Sequence, residues 1–99
     1  MDRAQFYKEV YSITKEIPYG NVSTYGKIAQ LIGKPQCSRM VGQALSHAPE
    51  EQHLPCHRVV NSQGRLVPGW QKQKELLEKE GITFKPNGCV NMPKHLWDT

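Results

Sequence analysis

A cysteine, a histidine and an arginine stand side by side in residues 54–60, which read LPCHRVV. A cysteine thiolate is both a nucleophile and a metal ligand, and a nearby base or cation raises the ionised fraction of the thiol. Adjacent side chains on a straight strand point to opposite faces, so His57 reaches the Cys56 sulfur only through a backbone turn or a bridging water. Pro55 permits such a turn because its ring fixes φ. These residues alone leave Cys56 as a candidate nucleophile, metal ligand or core residue.

A carboxylate later in the chain could complete the groups that an activated thiol needs. A helix is predicted over residues 70–79. Positions three or four apart share one of its faces, and this face carries Gln73, Leu76, Leu77 and, at its end, Glu80. The two leucines should face the core, and Glu80 would follow them inward, where a buried carboxylate needs partners. There it could orient the His57 ring while that ring accepts the thiol proton through water. The alternative is that Glu80 only ends the helix.

Metal binding, disulfides and membrane insertion are not expected. Cys37, Cys56 and Cys89 are an odd number of widely spaced cysteines without a CxxC pair, which argues against both a structural zinc site and a disulfide framework. The chain shows no apolar run that resembles a signal peptide or a membrane span. We therefore expect a cytoplasmic protein that makes no contact with a membrane.

Length and composition predict one globular domain over residues 1–99. The chain has 99 residues, of which 37% are hydrophobic and 22% are charged, which suits a single modest core. Its formal net charge is +4 at pH 7. A mildly basic chain favours a polyanionic partner such as nucleic acid.

Periodic apolar positions predict three helices before the cysteine turn. Asp2 caps the first helix and Pro18 ends it, Ser23 caps the second, and Gly33 closes the second. The third is predicted over residues 36–47. Because only a tight turn containing GKPQ separates the second and third helices, the pair indicates a helix-turn-helix.

Residues 57–67 read HRVVNSQGRLV and predict two short strands around a turn at 61–64. A hairpin after a helix-turn-helix is the layout of a winged helix, which places its third helix in a DNA groove. The exposed face of that helix would carry Gln36, Arg39, Met40 and Gln43, and the wing would offer Arg58 and Arg65 to phosphates. The alternative is that these are ordinary solvated side chains. After the helix over 70–79, a second hairpin is predicted at 86–88, and Trp97 should pack as a cap.

Three blocks of the sequence resemble the C-terminal domain of the O6-alkylguanine-DNA alkyltransferase family, which includes the alkyltransferase-like proteins. In order, they read VSTYGKIAQLIGKPQCSRMVGQAL, LPCHRVVNSQGRLV and KELLEKEG. With the leading helix they cover most of the chain. The resemblance implies a mostly α fold with a small β-hairpin, winged helix-turn-helix-like, whose DNA-binding helix lies in the minor groove. The winged-helix analogy alone would have favoured the major groove.

The resemblance also implies roles for individual residues. Cys56 matches the cysteine that accepts the alkyl group from guanine O6 in one irreversible displacement, with no cofactor or metal. His57 matches the histidine that receives the thiol proton through water, and Glu80 matches the acid behind it. Tyr25 matches the tyrosine that presses on the phosphate beside the lesion, and Arg39 matches the arginine that fills the space left by the flipped nucleotide.

The sequence also departs from the family pattern around the pocket, which we expect Pro55, Val59 and Trp70 to line. An asparagine usually lies eight residues before the nucleophile, and here that position is Ala48. The loop after the hairpin usually holds a tyrosine and two glycines, and here it is shortened to VPGW at residues 67–70. Both changes should loosen or reshape the pocket.

Two functions follow as expectations for a monomer that binds duplex DNA containing O6-alkylguanine. The favoured one is an enzyme, a single-turnover methylated-DNA–protein-cysteine methyltransferase, because Cys56, His57 and Glu80 are all present. The alternative is a non-catalytic lesion sensor that recruits nucleotide excision repair proteins. Such sensors share the small size of this chain, although they commonly replace the cysteine. A sequence-specific winged-helix regulator is a third and weaker interpretation.

Overall fold

The computed structural model describes residues 2–99 and begins with helix α1, Arg3–Glu16. The Asp2 side chain caps α1 by accepting a hydrogen bond of 2.8 Å from the Gln5 backbone N–H. The helix ends at the expected place because Ile17, which precedes Pro18, takes an extended conformation with ψ of 118°. Both ends of the first predicted helix are therefore confirmed.

Helix α2 covers Tyr25–Ile32, and its cap differs from the predicted one. The Thr24 hydroxyl accepts the hydrogen bond of the Lys27 N–H at 3.0 Å, which is the capping role that we expected of Ser23. Ser23 is fully buried and lies in a strand instead. Gly33 closes α2 in the left-handed conformation, with φ of +88°, as predicted.

The third predicted helix, over 36–47, divides into two pieces. A 3-10 turn covers Pro35–Cys37 and helix α3 covers Ser38–Ser46. Helices α1, α2 and α3 pack against one another, so the expected helix-turn-helix pair rests on the first helix. This arrangement leaves one side of α3 free for other contacts.

The sheet is small and parallel rather than a hairpin. Strand β1, Ser23–Thr24, pairs with β2, Val59–Val60, with Ser23 opposite Val59. The mostly helical fold with a two-stranded sheet is confirmed, but the predicted hairpin partner of β2 does not form. In the segment predicted as that partner, backbone N–H groups donate to side chains instead of to β2. The Arg65 N–H donates to Asn61 Oδ1 at 2.8 Å, and the Val67 N–H donates to Gln73 Oε1 at 2.7 Å. Side-chain acceptors of this kind compete with a strand ladder.

The C-terminal third consists of α4, Lys72–Lys79, and a tail that contains α5, Met92–His95. Leu77 is buried as predicted, whereas Leu76 is only half-buried, which corrects the expectation that both leucines enter the core. The predicted tail hairpin forms through an antiparallel bridge between Phe84 and Val90. Trp97 packs on the core, as expected.

Two apolar clusters form the core, one on each side of β2. Val59 belongs to the cluster made by α1, α2 and α3. Val60 belongs to a second cluster with Val22, Leu77, Ile82 and Val90. Because neighbouring strand residues face opposite ways, β2 is anchored on both sides. The turn immediately before it, which carries Cys56 and His57, is thereby fixed in place.

No helix in the described part of the chain is long and apolar enough to cross a membrane. The longest, α1, has 14 residues, whereas a span needs about 20 apolar ones.

Candidate functional site

The backbone turns at the Pro-Cys-His-Arg stretch. Cys56–Arg58 form a 3-10 turn, closed by a 3.0 Å hydrogen bond from the Arg58 N–H to the Pro55 carbonyl. Successive side chains therefore leave the backbone in different directions from those of a straight strand. Cys56 and His57 both line a pocket, while Arg58 is engaged elsewhere. This is the geometry that the sequence required if the two side chains were to share a site.

Glu80 holds the histidine and the arginine of this turn together. His57 Nε2 lies 2.6 Å from Glu80 Oε2, and Arg58 Nε donates to both carboxylate oxygens at 3.0 Å. The Gly20 backbone N–H adds a fourth contact, at 2.9 Å from Oε1. Only 5% of the Glu80 side chain is exposed, so the carboxylate faces inward as the helix spacing predicted. A buried carboxylate with several donors is satisfied and fixed in orientation.

The ionised form of Glu80 is favoured by these donors. Burial by itself pushes the pKa of the carboxyl upward, but hydrogen bonds from Arg58, the Gly20 N–H and His57 outweigh it and leave the pKa below its usual value. The carboxylate is therefore a permanent anion near neutral pH. Its contact with Nε2 fixes the orientation of the His57 ring.

Arg58 does not have the environment of a phosphate-binding wing residue. Besides Glu80, its guanidinium donates to the Ile17 carbonyl at 2.9 Å and lies 5.6 Å from the centre of the Tyr19 ring. The side chain is only 15% exposed. The expectation that Arg58 contacts phosphates is therefore corrected: it ties the cysteine turn to the end of α1. Arg65, by contrast, is exposed.

Gln73 fixes the same turn from the side of α4. Its side-chain amide donates to the His57 carbonyl at 3.1 Å and to the Val59 carbonyl at 3.2 Å, and its oxygen accepts from the Val67 N–H. The residue is fully buried. One amide thus joins the cysteine turn, strand β2 and the shortened loop at 67–70, which makes Gln73 a positioning residue that sequence reasoning placed only on a helix face.

A pocket of about 680 Å³ opens beside the cysteine turn. Tyr25, Gly42 and Leu45 come from α2 and α3, Val67 and Trp70 come from the loop at 67–70, and Leu76 comes from α4. The segment after α3 supplies further residues, among them Ala48, Pro49, Glu50, His53 and Leu54. Most of these side chains are apolar. The pocket can therefore remove a flat organic group from water, with the Cys56 and His57 side chains in its wall.

Trp70 lines this pocket, as expected, but the other two residues assigned to it do not. Val59 is 1% exposed and packs in the first core cluster, because the strand alternation turns it inward. Pro55 begins the 3-10 turn and is not part of the pocket lining. Glu50 and His53 were missed. Their segment, residues 48–54, has no regular periodicity from which their position in the wall could have been predicted.

Tyr25 stands at the start of α2 with its ring beside Gly42 of α3. A Cβ at Gly42 would lie 3.9 Å from the Tyr25 ring, so the two helices approach closely here. Burial, with a smaller contribution from Cys56, raises the pKa of the Tyr25 phenol. The hydroxyl therefore stays protonated and can donate a hydrogen bond, as an anionic ligand group would require.

The residues assigned to DNA contact lie on the exposed side of the helix pair. Arg39 and Gln43, four residues apart on α3, share one exposed face, and Gln36 is exposed in the 3-10 turn before it. Their accessibility is the property that a groove-binding surface needs. Their contacts with DNA stay predictions.

The Cys56 thiol is partly buried in the pocket wall. Within residues 2–99, no side-chain hydrogen bond joins the sulfur to His57, whose Nε2 is held by Glu80. Burial raises the pKa of the thiol, which favours its protonated form. Cys37, Cys56 and Cys89 are free thiols. Among the described residues, no three His, Cys, Asp or Glu side chains come together in a way that could hold a metal ion.

Comparison with known proteins gives matches along nearly the whole chain. The family model described as 6-O-methylguanine DNA methyltransferase, DNA binding domain, matches residues 5–82. Alkyltransferase-like protein 1 of Schizosaccharomyces pombe is 43% identical over 102 residues, which cover 94% of each chain. A DNA base-flipping protein of Vibrio parahaemolyticus is 42% identical, with 94% of this chain and 96% of the relative covered.

A solved structure extends this likeness to the fold. It is that of S. pombe Atl1 in complex with damaged DNA containing O6-carboxymethylguanine. The two structures superpose with a TM-score of 0.89 at 42% sequence identity, over 100% of both chains. The fold described above therefore has a counterpart over its full length in a protein solved on DNA.

The expectation of a cysteine methyltransferase enzyme is wrong. A methylated-DNA–protein-cysteine methyltransferase of Methanosarcina acetivorans is 44% identical over 80 residues, but the match spans only 51% of that protein. The relatives matched over 94% or more of their length are alkyltransferase-like and base-flipping proteins. The site agrees with this correction in one physical respect: partial burial raises the pKa of the Cys56 thiol, which lowers the fraction of nucleophilic thiolate.

Proposed function

Since the chain belongs to the 6-O-methylguanine DNA methyltransferase DNA-binding-domain family, we propose that it binds duplex DNA at O6-alkylguanine and holds the lesion without removing the alkyl group. The observation that carries the proposal is the likeness over the full length to a protein solved on O6-carboxymethylguanine DNA. The open, mostly apolar pocket beside the helix pair supports it, because a base turned out of the duplex needs such a space.

In this proposal α3 lies in the minor groove and the lesion rotates into the pocket. Arg39, exposed on α3, fills the space left in the base stack, where a planar guanidinium offsets part of the cost of unstacking. Tyr25, at the junction of α2 and the pocket, donates its hydroxyl to the phosphate beside the lesion. Gln36, Gln43 and Arg65 contact the backbone or groove nearby. The net charge of +4 attracts the duplex without regard to sequence.

Cys56, His57 and Glu80 serve as pocket wall and support. The protonated thiol presents a small, weakly polar surface to the alkyl group. Glu80 and Arg58 hold the His57 ring in one orientation, which preserves the shape of the pocket. Because this chain performs no repair chemistry in the proposal, the lesion is removed by other proteins, and nucleotide excision repair is the pathway that we propose.

Equilibrium binding to two matched duplexes tests the proposal. One duplex carries a single O6-methylguanine and the other carries guanine at the same position. We expect the protein to bind the lesion duplex at least about tenfold more tightly, which corresponds to about 1.4 kcal/mol. Equal affinity for the two duplexes would contradict the proposal.

A pocket-filling variant adds a control within the chain. Ala48→Trp places an indole in the pocket and should abolish the preference for the lesion while leaving affinity for the unmodified duplex. Gln52→Trp introduces the same side chain at an exposed position of the same segment that is not part of the pocket lining, and should keep the preference. A preference that survives Ala48→Trp would mean that the lesion binds elsewhere.

A further inference from the structure

The pocket wall has an uneven distribution of charge. Among the described residues that line it, there is no lysine or arginine, and Glu50 is the single carboxylate. The nearest arginine in sequence, Arg58, is committed to Glu80 and to the Ile17 carbonyl. A negatively charged group that entered the pocket would therefore meet no lysine or arginine of the wall, and would meet the exposed Glu50.

The histidines of the pocket do not supply a fixed positive partner either. His57 Nε2 pairs with Glu80, so in the neutral ring this nitrogen carries the proton and Nδ1 is an acceptor. The tautomer follows from that pairing. His53 is exposed at the rim, in a left-handed conformation with φ of +49°. Neither ring in its neutral form compensates a carboxylate in the pocket.

The loss of hydration in the pocket disfavours an anionic substituent, as the charge of Glu50 does. Val67, Trp70 and Leu76 contribute apolar surface to the pocket wall. A neutral alkyl or aryl group gains free energy when this surface replaces water. A carboxylate loses its hydration without a compensating ion pair, which is unfavourable.

From this wall we infer that the pocket selects O6 substituents by charge, with Glu50 as the specificity-determining residue. It accepts neutral, apolar substituents, including ones larger than methyl, and discriminates against anionic ones such as carboxymethyl. The inference rests on the proposed function, because it assigns the substituent class to the same lesion pocket. It would separate this chain from S. pombe Atl1, whose solved complex contains O6-carboxymethylguanine.

The test compares two adducts of nearly the same size that differ in charge. Duplexes carrying O6-carboxymethylguanine, its neutral amide O6-carbamoylmethylguanine, or unmodified guanine are titrated with the protein at about pH 8, above the ordinary titration range of imidazole. The wild-type protein should bind the amide about tenfold more tightly than the carboxylate, because the carboxylate loses hydration beside apolar side chains and is repelled by Glu50.

Two isosteric variants then locate the origin of the discrimination. Glu50→Gln removes the anion from the pocket and should reduce the gap between the two adducts by about fivefold. Glu51→Gln removes the same charge from the next residue, which is exposed like Glu50 but is not part of the pocket lining, so it should leave the gap unchanged. Any general effect of charge on DNA affinity appears equally in both variants.

The outcomes separate the inference from the function on which it rests. Tight and equal binding of both adducts by the wild-type protein would overturn the charge selection and leave the lesion-binding function in place. A gap that Glu50→Gln and Glu51→Gln change equally would overturn the role of Glu50. If neither adduct binds better than the unmodified duplex, the proposed function and the inference both fall.

Discussion

At the scale of single residues, the site is organised by one carboxylate. Glu80 lies at the end of α4 and receives the His57 ring, the Arg58 guanidinium and the Gly20 N–H. Residue types and helix spacing predicted that Glu80 would turn inward and meet His57. They did not predict Arg58 as a partner, because a guanidinium after Cys-His on a presumed wing is equally suited to phosphates. The choice depended on the position of the Ile17 carbonyl, which only the folded chain supplies.

The stability contributed by Glu80 depends on pH. Because the folded pKa of Glu80 lies below its usual value, the ionised carboxylate stabilises the fold above the ordinary glutamate pKa, and this contribution is lost as the pH falls through the folded value. Glu80→Gln should lower the free energy of unfolding by about 2 kcal/mol near pH 7, and by progressively less below about pH 4.3. Urea unfolding across this pH range measures the difference.

Glu78→Gln is the matched control for this prediction. Glu78 lies on the same helix and is exposed, so its substitution should change stability by less than about 0.5 kcal/mol at any of these pH values. If Glu80→Gln lowers the free energy of unfolding by the same amount from neutral to acidic pH, the charge of the carboxylate does not contribute to stability.

Arg39 should distinguish damaged from undamaged DNA. A guanidinium that occupies the space of an extruded nucleotide is useful only when the base has left the stack. Arg39→Ala should therefore weaken binding to the O6-methylguanine duplex by about tenfold and weaken binding to the unmodified duplex much less. Arg65→Ala, which removes another exposed arginine, should weaken both equally. If Arg39→Ala weakens affinity for both duplexes equally in the same titrations, Arg39 contacts only phosphate.

At the scale of elements, helices were predictable and strand pairing was not. The bounds of α1 follow from Asp2 and Pro18, and the end of α2 follows from Gly33. These are local signals. The parallel pairing of Ser23–Thr24 with Val59–Val60 joins segments far apart in sequence, and no local pattern encodes such a partner.

The hairpin prediction failed for an identifiable reason. The turn at 61–64 was placed correctly, and the Gly64 N–H donates to the Asn61 carbonyl at 2.9 Å. However, the Asn61 side chain also accepts from the Gln63 and Arg65 N–H groups, so the chain after the turn is bonded to the turn itself. Asparagine at this position therefore signalled a self-contained loop rather than a returning strand.

Gly64 joins that loop to the tail. Its φ is +86°, and a Cβ there would lie 2.7 Å from the Val90 carbonyl oxygen and 3.1 Å from Met92 Cγ. The Gly64 carbonyl also accepts the Val90 N–H at 2.9 Å. Gly64→Ala should lower the free energy of unfolding by about 3 kcal/mol, from the left-handed conformation and the clash together.

Gly88→Ala separates these two causes in the same unfolding assay. Gly88 has nearly the same φ, +88°, but nothing lies within 4 Å of a Cβ placed there. Gly88→Ala should therefore lower the free energy of unfolding by about 1 kcal/mol, from the backbone conformation alone. Equal losses in the two variants would show that the tail does not press on the 61–65 loop.

At the scale of the whole molecule, two core clusters meet at β2 and hold the cysteine turn beside the pocket. The sequence predicted the three helices that form the first cluster and the family to which the chain belongs. It predicted Trp70 in the pocket but placed Val59 there too, since burial in a core and burial in a pocket look the same in an apolar pattern. Glu50 and His53 were overlooked because their segment, residues 48–54, follows no periodicity.

Likeness along the whole molecule, rather than single residues, distinguishes alkyl transfer from lesion binding without transfer. Cys56, His57 and Glu80 favoured transfer when they were considered as residue types, whereas the match over the full length to alkyltransferase-like and base-flipping proteins opposes it. A thiol whose pKa is raised by burial is consistent with lesion binding without transfer. Presence of the three groups is necessary for transfer, but activation of the sulfur is a property of its surroundings.

Native mass spectrometry of the protein with excess O6-methylguanine duplex tests lesion binding without transfer in one measurement. We expect a one-to-one complex that forms in preference to the complex with the unmodified duplex, and from which protein and DNA are both released with unchanged masses. A gain of one methylene mass on the Cys56 peptide, with its loss from the DNA, would contradict lesion binding without transfer, as would the absence of any preference for the lesion.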